Sequence, residues 1–245
     1  MILIKSIVRC VESLLTWLVR VTAKDSFNDT RYRFNLPEVW YSPWREDRDF
    51  LSVYRKIVPH TLISERKLFD LFCLGKQVSH FQRGIVLEVG SYKGGSGALL
   101  ASALPEMQLI LWDNWGTPVV ENDYFVEKVY ATSSDLLHAQ DLVSAVNSSS
   151  ALTCKFVSDS FPNRQVIDSY AGEYVFVHFD IYDENAFDVG MSHIWPKLRV
   201  GGIIVCGGYG AISLDALTEV VNLFVKGRDC TFIQSQSGLG VIIKR

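Results

Sequence analysis

Glu88 stands directly ahead of a glycine-rich turn in the stretch Leu87-Glu88-Val89-Gly90-Ser91-Tyr92-Lys93-Gly94-Gly95-Ser96. Glycines in such a turn let the backbone approach a ligand where a Cβ would collide. A carboxylate before the first glycine argues against a pyrophosphate but suits the ammonium and sulfonium of S-adenosylmethionine (SAM). Tyr92 occupies the place where a dinucleotide G-x-G fingerprint demands a second glycine, which disfavours NAD chemistry. Gly90, Tyr92, Gly94, Gly95 and Ser96 are therefore expected to line the amino-acid end of SAM, with Glu88 holding its ammonium. About 20–25 residues further on, Asp113 can accept both ribose hydroxyls or cap a turn, and Asn114 and Trp115 follow it. Trp115 either stacks on adenine or fills core. Asp159 and Phe161 are expected to flank the adenine, although a solvated turn aspartate fits Asp159 as well. Asp180 ends the apolar run Val175–Phe179. An acid there is costly unless paired or used, so it is expected to face the second substrate as base or orienting group. His178 reads as a hydrogen-bonded structural histidine.

These residues need a sheet to bring them together. Strand patterns fall at Ile85–Val89, Gln108–Trp112, Thr153–Val157, Glu173–Phe179, Gly202–Val205, Thr231–Gln234 and Val241–Lys244. Helical stretches lie between them at Gly97–Leu104, Ser134–Asn147, Asn185–Leu198 and Leu214–Lys226. Alternating strands and helices predict an α/β fold, a mostly parallel sheet with helices on both faces. Ligands of such sheets bind at the carboxyl ends of the strands, where the candidate residues fall. The division expected is an amphipathic helix and linker over 1–33, a helical lid or cap over 34–83, and a SAM-binding domain over 84–245. Trp40, Tyr41 and Trp44 either pack on the sheet or roof the pocket. In Met1–Ala23, Lys5, Arg9, Glu12, Thr16 and Arg20 share one helical face. That stripe excludes a spanning helix and predicts packing on the domain or a partner subunit, with membrane-surface contact as the alternative.

At 245 residues the chain can bury a substantial core. A net charge of −3 lacks the basic excess of a nucleic-acid surface. The five cysteines are scattered and form no C-x-x-C pair. No disulfide framework or zinc site is expected, and a reducing cytoplasm is the default.

Several separated blocks resemble the macrocin O-methyltransferase family. They are S-P-W-R-E-D-R-D-F-L-S-V-Y (Ser42–Tyr54), T-L-I-S-E-R (Thr61–Arg66), L-E-V-G-S-Y-K-G-G-S (Leu87–Ser96), F-V-H-F-D (Phe176–Asp180), W-P-K-L-R-V-G-G-I-I-V (Trp195–Val205) and V-I-I-K (Val241–Lys244). The resemblance implies a Rossmann-like class I methyltransferase fold with seven strands and SAM-dependent O-methylation of a small-molecule acceptor, a sugar or a glycosylated natural product. A homo-oligomer and no nucleic-acid partner are expected. It also implies a magnesium site built from the aspartate ending the fourth strand and two adjacent aspartates after the fifth. Here those two positions are Gly207 and Gly208, Tyr182 stands where a second acid is usual, and Leu239 stands where related sequences often carry histidine. Removing two carboxylates takes a formal charge of −2 from around a cation, so no dedicated metal site is expected and Asp180 is left as the catalytic candidate. A catalytically degenerate SAM-binding subunit is the alternative.

Overall fold

The computed structural model describes residues 42–81, 83–116, 131–147, 153–211 and 214–245. The expected N-terminal amphipathic helix and linker, together with Trp40 and Tyr41, lie outside the described residues. Pro43–Arg245 form one compact unit.

The strands are β1 (Ile85–Val89), β2 (Gln108–Asp113), β3 (Thr153–Ser158), β4 (Tyr174–Phe179), β5 (Leu198–Cys206), β6 (Cys230–Gln234) and β7 (Gly240–Lys244). They form one seven-stranded sheet in the order β3-β2-β1-β4-β5-β7-β6. β1 to β5 run parallel, and β7 is antiparallel to both β5 and β6. The helices are α1 (Arg48–Ile57), α2 (Glu65–Phe81), α3 (Gly95–Ala103), α4 (Ser133–Val146), α5 (Arg164–Ser169), α6 (Glu184–Ile194) and α7 (Asp215–Lys226).

Strand alternation sorts the apolar side chains into two cores. Val86, Leu109, Leu111, Phe176 and Val205 meet Phe50, Ile57, Leu68, Leu71 and Leu99 of α1, α2 and α3. On the other face, Leu87, Ile110, Val177, Phe179 and Ile204 meet Phe187, Met191, Leu217 and Val221 of α6 and α7. Each such fully buried side chain is worth about 1.5–3 kcal/mol over leaving it exposed. α1 and α2 are thus one layer of the domain rather than a cap standing off it.

Local chemistry explains where the elements stop. Within the helical segment expected over 34–83, α1 and α2 are separated by a 3₁₀ turn, Val58–His60, because Pro59 brings no N–H. Pro196 likewise ends α6 in a 3₁₀ turn, Trp195–Lys197, short of the Leu198 expected. β5 starts four residues earlier than its apolar run suggests. Its pairing with β4 shifts between Tyr174 and Phe176, next to Gly201 at φ +78°. α5 has no periodic signal at six residues and rests on its Asn163 cap, whose Oδ1 accepts from the Gln165 and Val166 N–H groups at 3.0 and 3.3 Å. Asp183, at the end of the loop after β4, caps α6 through the Ala186 N–H at 2.7 Å. Among the described residues no helix is long and apolar enough to cross a membrane.

Candidate functional site

The sheet ladder continues one residue past three adjacent strands. Gly90 donates to the Trp112 carbonyl (2.9 Å), Asp180 to Val89 (2.9 Å) and Gly207 to Phe179 (2.7 Å). Gly90, Asp180 and Gly207 therefore sit side by side at the carboxyl edge, as the sequence predicted for the first two.

The glycine turn is held from β2. Tyr92 has φ +49°, unusual for a residue with a Cβ. Its N–H donates to Asp113 Oδ2 at 2.6 Å, and its carbonyl accepts from Trp115 Nε1 at 2.7 Å. The Asn114 N–H takes Asp113 Oδ1 at 2.7 Å. Burial pushes the Asp113 pKa up, and these two backbone donors oppose the rise. Trp115 is 3% exposed and lies in the core near Phe156, which decides its reading in favour of packing.

The glycines serve the protein's own close contacts. Gly90 (φ +89°) lies against the Asp180 carbonyl with no room for a Cβ. A Cβ on Gly94 (φ +79°) would come within 2.6 Å of the Ala139 Cβ, and one on Gly95 within 2.6 Å of the His60 carbonyl. The absent Cβ atoms make way for α4 and the α1–α2 connection, a packing role beside the ligand approach expected of the turn. Gly94 is the N-cap of α3, and Ser96 is buried in its first turn.

Glu88 is fully buried, and its Oε1 lies 3.0 Å from His178 Nδ1. His178 is thus hydrogen-bonded and internal, as expected. Glu88 Oε2, His178 Nε2 and the hydroxyl of Ser91 are buried without a hydrogen-bond partner. Ser91 was not singled out by sequence; a serine between two glycine-turn residues carries no signal of burial.

At β3 the carboxylate of Asp159 is engaged by the Ser160 N–H and Asn163 Nδ2, both at 2.8 Å. Phe161 packs edge-on against Trp112 and Phe179, with centroids 5.1 and 5.7 Å away. The two therefore stiffen the rim where adenine was expected.

Asp180 is half-buried, and Tyr182 Oη donates to its Oδ1 at 3.4 Å. Burial pushes the Asp180 pKa up, while the charges of His178 and Lys67 pull it down. The neighbouring Asp180 charge in turn raises the Tyr182 hydroxyl. Asp180 Oδ1 fills the space where a Cβ on Gly207 would stand. A Cβ on Gly208 (φ +71°) would meet Leu214 at 2.6 Å and Tyr182 at 3.2 Å. No group of three or more His, Cys, Asp or Glu side chains among the described residues could hold a metal ion. Of the three aspartates that the family resemblance implies around magnesium, Asp180 just past β4 is present and the two positions after β5 are Gly207 and Gly208; magnesium is commonly held by one or two carboxylates with substrate oxygens completing its shell.

A groove of ≈ 380 Å³ lined by Asp47, Phe72, Cys73, Lys76, His80 and Pro105 contains none of the residues at this edge.

No protein-family model and no curated protein matches the chain. Solved structures do resemble it. The O-methyltransferase NovP superposes with a TM-score of 0.59 at 14% identity, covering 76% of this chain and 82% of that one. The calicheamicin methyltransferase CalS11 gives 0.58 at 11% identity, covering 88% and 99%. The O-methyltransferase TomG from Streptomyces achromogenes, involved in tomaymycin synthesis and solved with SAM, gives 0.55 at 15%, covering 81% and 91%. At these identities the likeness shows the fold, a Rossmann-like class I methyltransferase fold.

Proposed function

We propose that the chain transfers the methyl group of SAM to a hydroxyl of a small molecule, a sugar or glycosylated natural product as the macrocin-family resemblance implies, without a dedicated metal site. The observation that carries this reading is the set of unpartnered buried atoms Glu88 Oε2 on β1, His178 Nε2 on β4 and Ser91 Oγ in the turn that Asp113 pins. A buried polar atom left unmet costs about 1–3 kcal/mol, and a buried carboxylate oxygen complements an ammonium. SAM supplies an electrophilic methyl group to the reaction.

The residues divide the remaining work. Glu88 and Ser91 hold the amino-acid end, with the Gly90–Gly95 backbone along its carboxylate. Asp113 takes the ribose, and Asn114, Asp159 and Phe161 bound the adenine. Asp180 receives the acceptor's proton, and burial, by raising its pKa, makes the ionised form a stronger base. A positioned base contributes about 10²–10⁴-fold; holding the two substrates in line supplies the rest.

Calorimetric titration with SAM tests the reading, with magnesium and then with a chelator. Binding equal in both conditions is expected. No binding removes the proposal, and metal-dependent binding would show that Gly207 and Gly208 do not report the loss of a site. Those glycines favour one alternative, a SAM-binding subunit without turnover. Radiolabelled methyl that is bound yet never transferred to any of a panel of phenols and sugars would select it.

A further inference from the structure

Helix α2 brings a cation to the edge where β5 brings no carboxylate. Lys67 and Asp70 lie three residues apart on α2, hence on one face. The Ser237 hydroxyl donates to Asp70 Oδ2 at 2.6 Å and fastens the β6–β7 turn to the helix. Lys67 runs along the same turn. Its Cε and Nζ lie 3.6 and 4.0 Å from where a Cβ on Gly238 would stand, and the Tyr209 carbonyl is 3.8 Å from that point. Lys67 is half-buried, and its ammonium makes no hydrogen bond or ion pair among the described residues. Asp180 is influenced by Glu88 of β1, His178 of β4, Tyr182 of the following loop and Lys67 of α2. Among the described residues the acceptor side therefore sets the Asp180 carboxylate and the Lys67 ammonium, which has no partner there, around one space, and a half-buried charge gains from a partner. An oxyanion completes the set.

We propose that Lys67 is the cation of the acceptor side: its ammonium holds the acceptor's reacting oxygen as that oxygen gives its proton to Asp180. This rests on the methyl-transfer reading above. In the step, the acceptor O–H bond breaks and its proton joins the Asp180 carboxylate. The oxygen's electron pair forms the bond to the methyl carbon. The carbon–sulfur bond breaks with its pair left on sulfur, so the sulfonium donor becomes a neutral thioether. Lys67 stays protonated throughout. One ammonium stabilises an oxyanion less than a divalent ion does, so within the acceptor class proposed above the more acidic hydroxyls, such as a phenol of a glycosylated natural product, react ahead of the less acidic ones.

The test uses the full chain with S-adenosylhomocysteine, 4-nitrophenol as probe, and the variants Lys67→Met and Lys67→Arg. The probe's visible absorption reports whether it binds as phenolate. Wild type is expected to bind it as phenolate below the free probe's own pKa. Lys67→Met weakens that binding at least about tenfold, and Lys67→Arg, which keeps the charge, restores most of it. S-adenosylhomocysteine affinity, measured by calorimetry, stays unchanged in both variants, which also shows that they fold. Phenolate binding retained in Lys67→Met, or a probe that wild type leaves neutral or unbound, overturns the proposal. If wild type does not bind S-adenosylhomocysteine, the methyl-transfer reading fails, and the same probe titration without the nucleoside still decides whether Lys67 holds an oxyanion.

Discussion

Asp113 carries two backbone hydrogen bonds and holds a left-handed tyrosine in place, so its removal should act on the turn and the ligand together. Asp113→Asn keeps one acceptor oxygen and loses the charge, at a cost of about 1–3 kcal/mol. S-adenosylhomocysteine affinity should fall roughly tenfold or more, read by calorimetry. Asp180 offers a prediction with a definite sign. Its carboxyl takes up a proton more readily folded than unfolded, because burial raises its pKa. Ionisation therefore costs stability, and the cost grows as pH climbs from the unfolded value through the folded one. Asp180→Asn should be more stable than wild type in urea at about pH 8 and lose that advantage near about pH 3, where both states are protonated. A variant less stable than wild type at the higher pH would contradict this. The other residues at the edge divide between those that sequence could name and those it could not. Glu88, Asp113 and Asp180 each close a strand, so spacing alone exposes them. Lys67 and Ser91 carry no such signal, because a lysine on a helix and a serine in a turn are ordinarily solvated.

At the scale of elements, the turn between β1 and α3 is a packing joint as well as the proposed ligand cradle. Gly90→Ala would meet the Asp180 carbonyl and strain a backbone at φ +89°. A loss of about 1–3 kcal/mol for the backbone conformation alone is expected, with the collision added, and urea denaturation should show it. The strand pattern was legible because both faces of the sheet are buried and the runs are apolar. Helix ends were harder. Pro59 and Pro196 shorten helices that periodicity extends, and α5 depends on one asparagine cap in six residues. The start of β5 was hidden because Gly201 and the shift in pairing with β4 interrupt its apolar run.

At the scale of the molecule, both cores lie within Pro43–Arg245. A fragment of residues 43–245 should unfold in one cooperative thermal transition and bind S-adenosylhomocysteine like the full chain; a broad transition would count against it. Sequence by itself determined the α/β order, the acids at or beside the ends of β1, β2 and β4, and the glycines at 207 and 208. These are local facts, written in periodicity and residue type. Only the tertiary structure decided that Asp180 occupies the space beside Gly207, that Glu88 is joined to His178, and that Lys67 of α2 reaches the β6–β7 turn. Those contacts link positions as far apart as 67 and 238, and no spacing rule reaches across a fold that has yet to close.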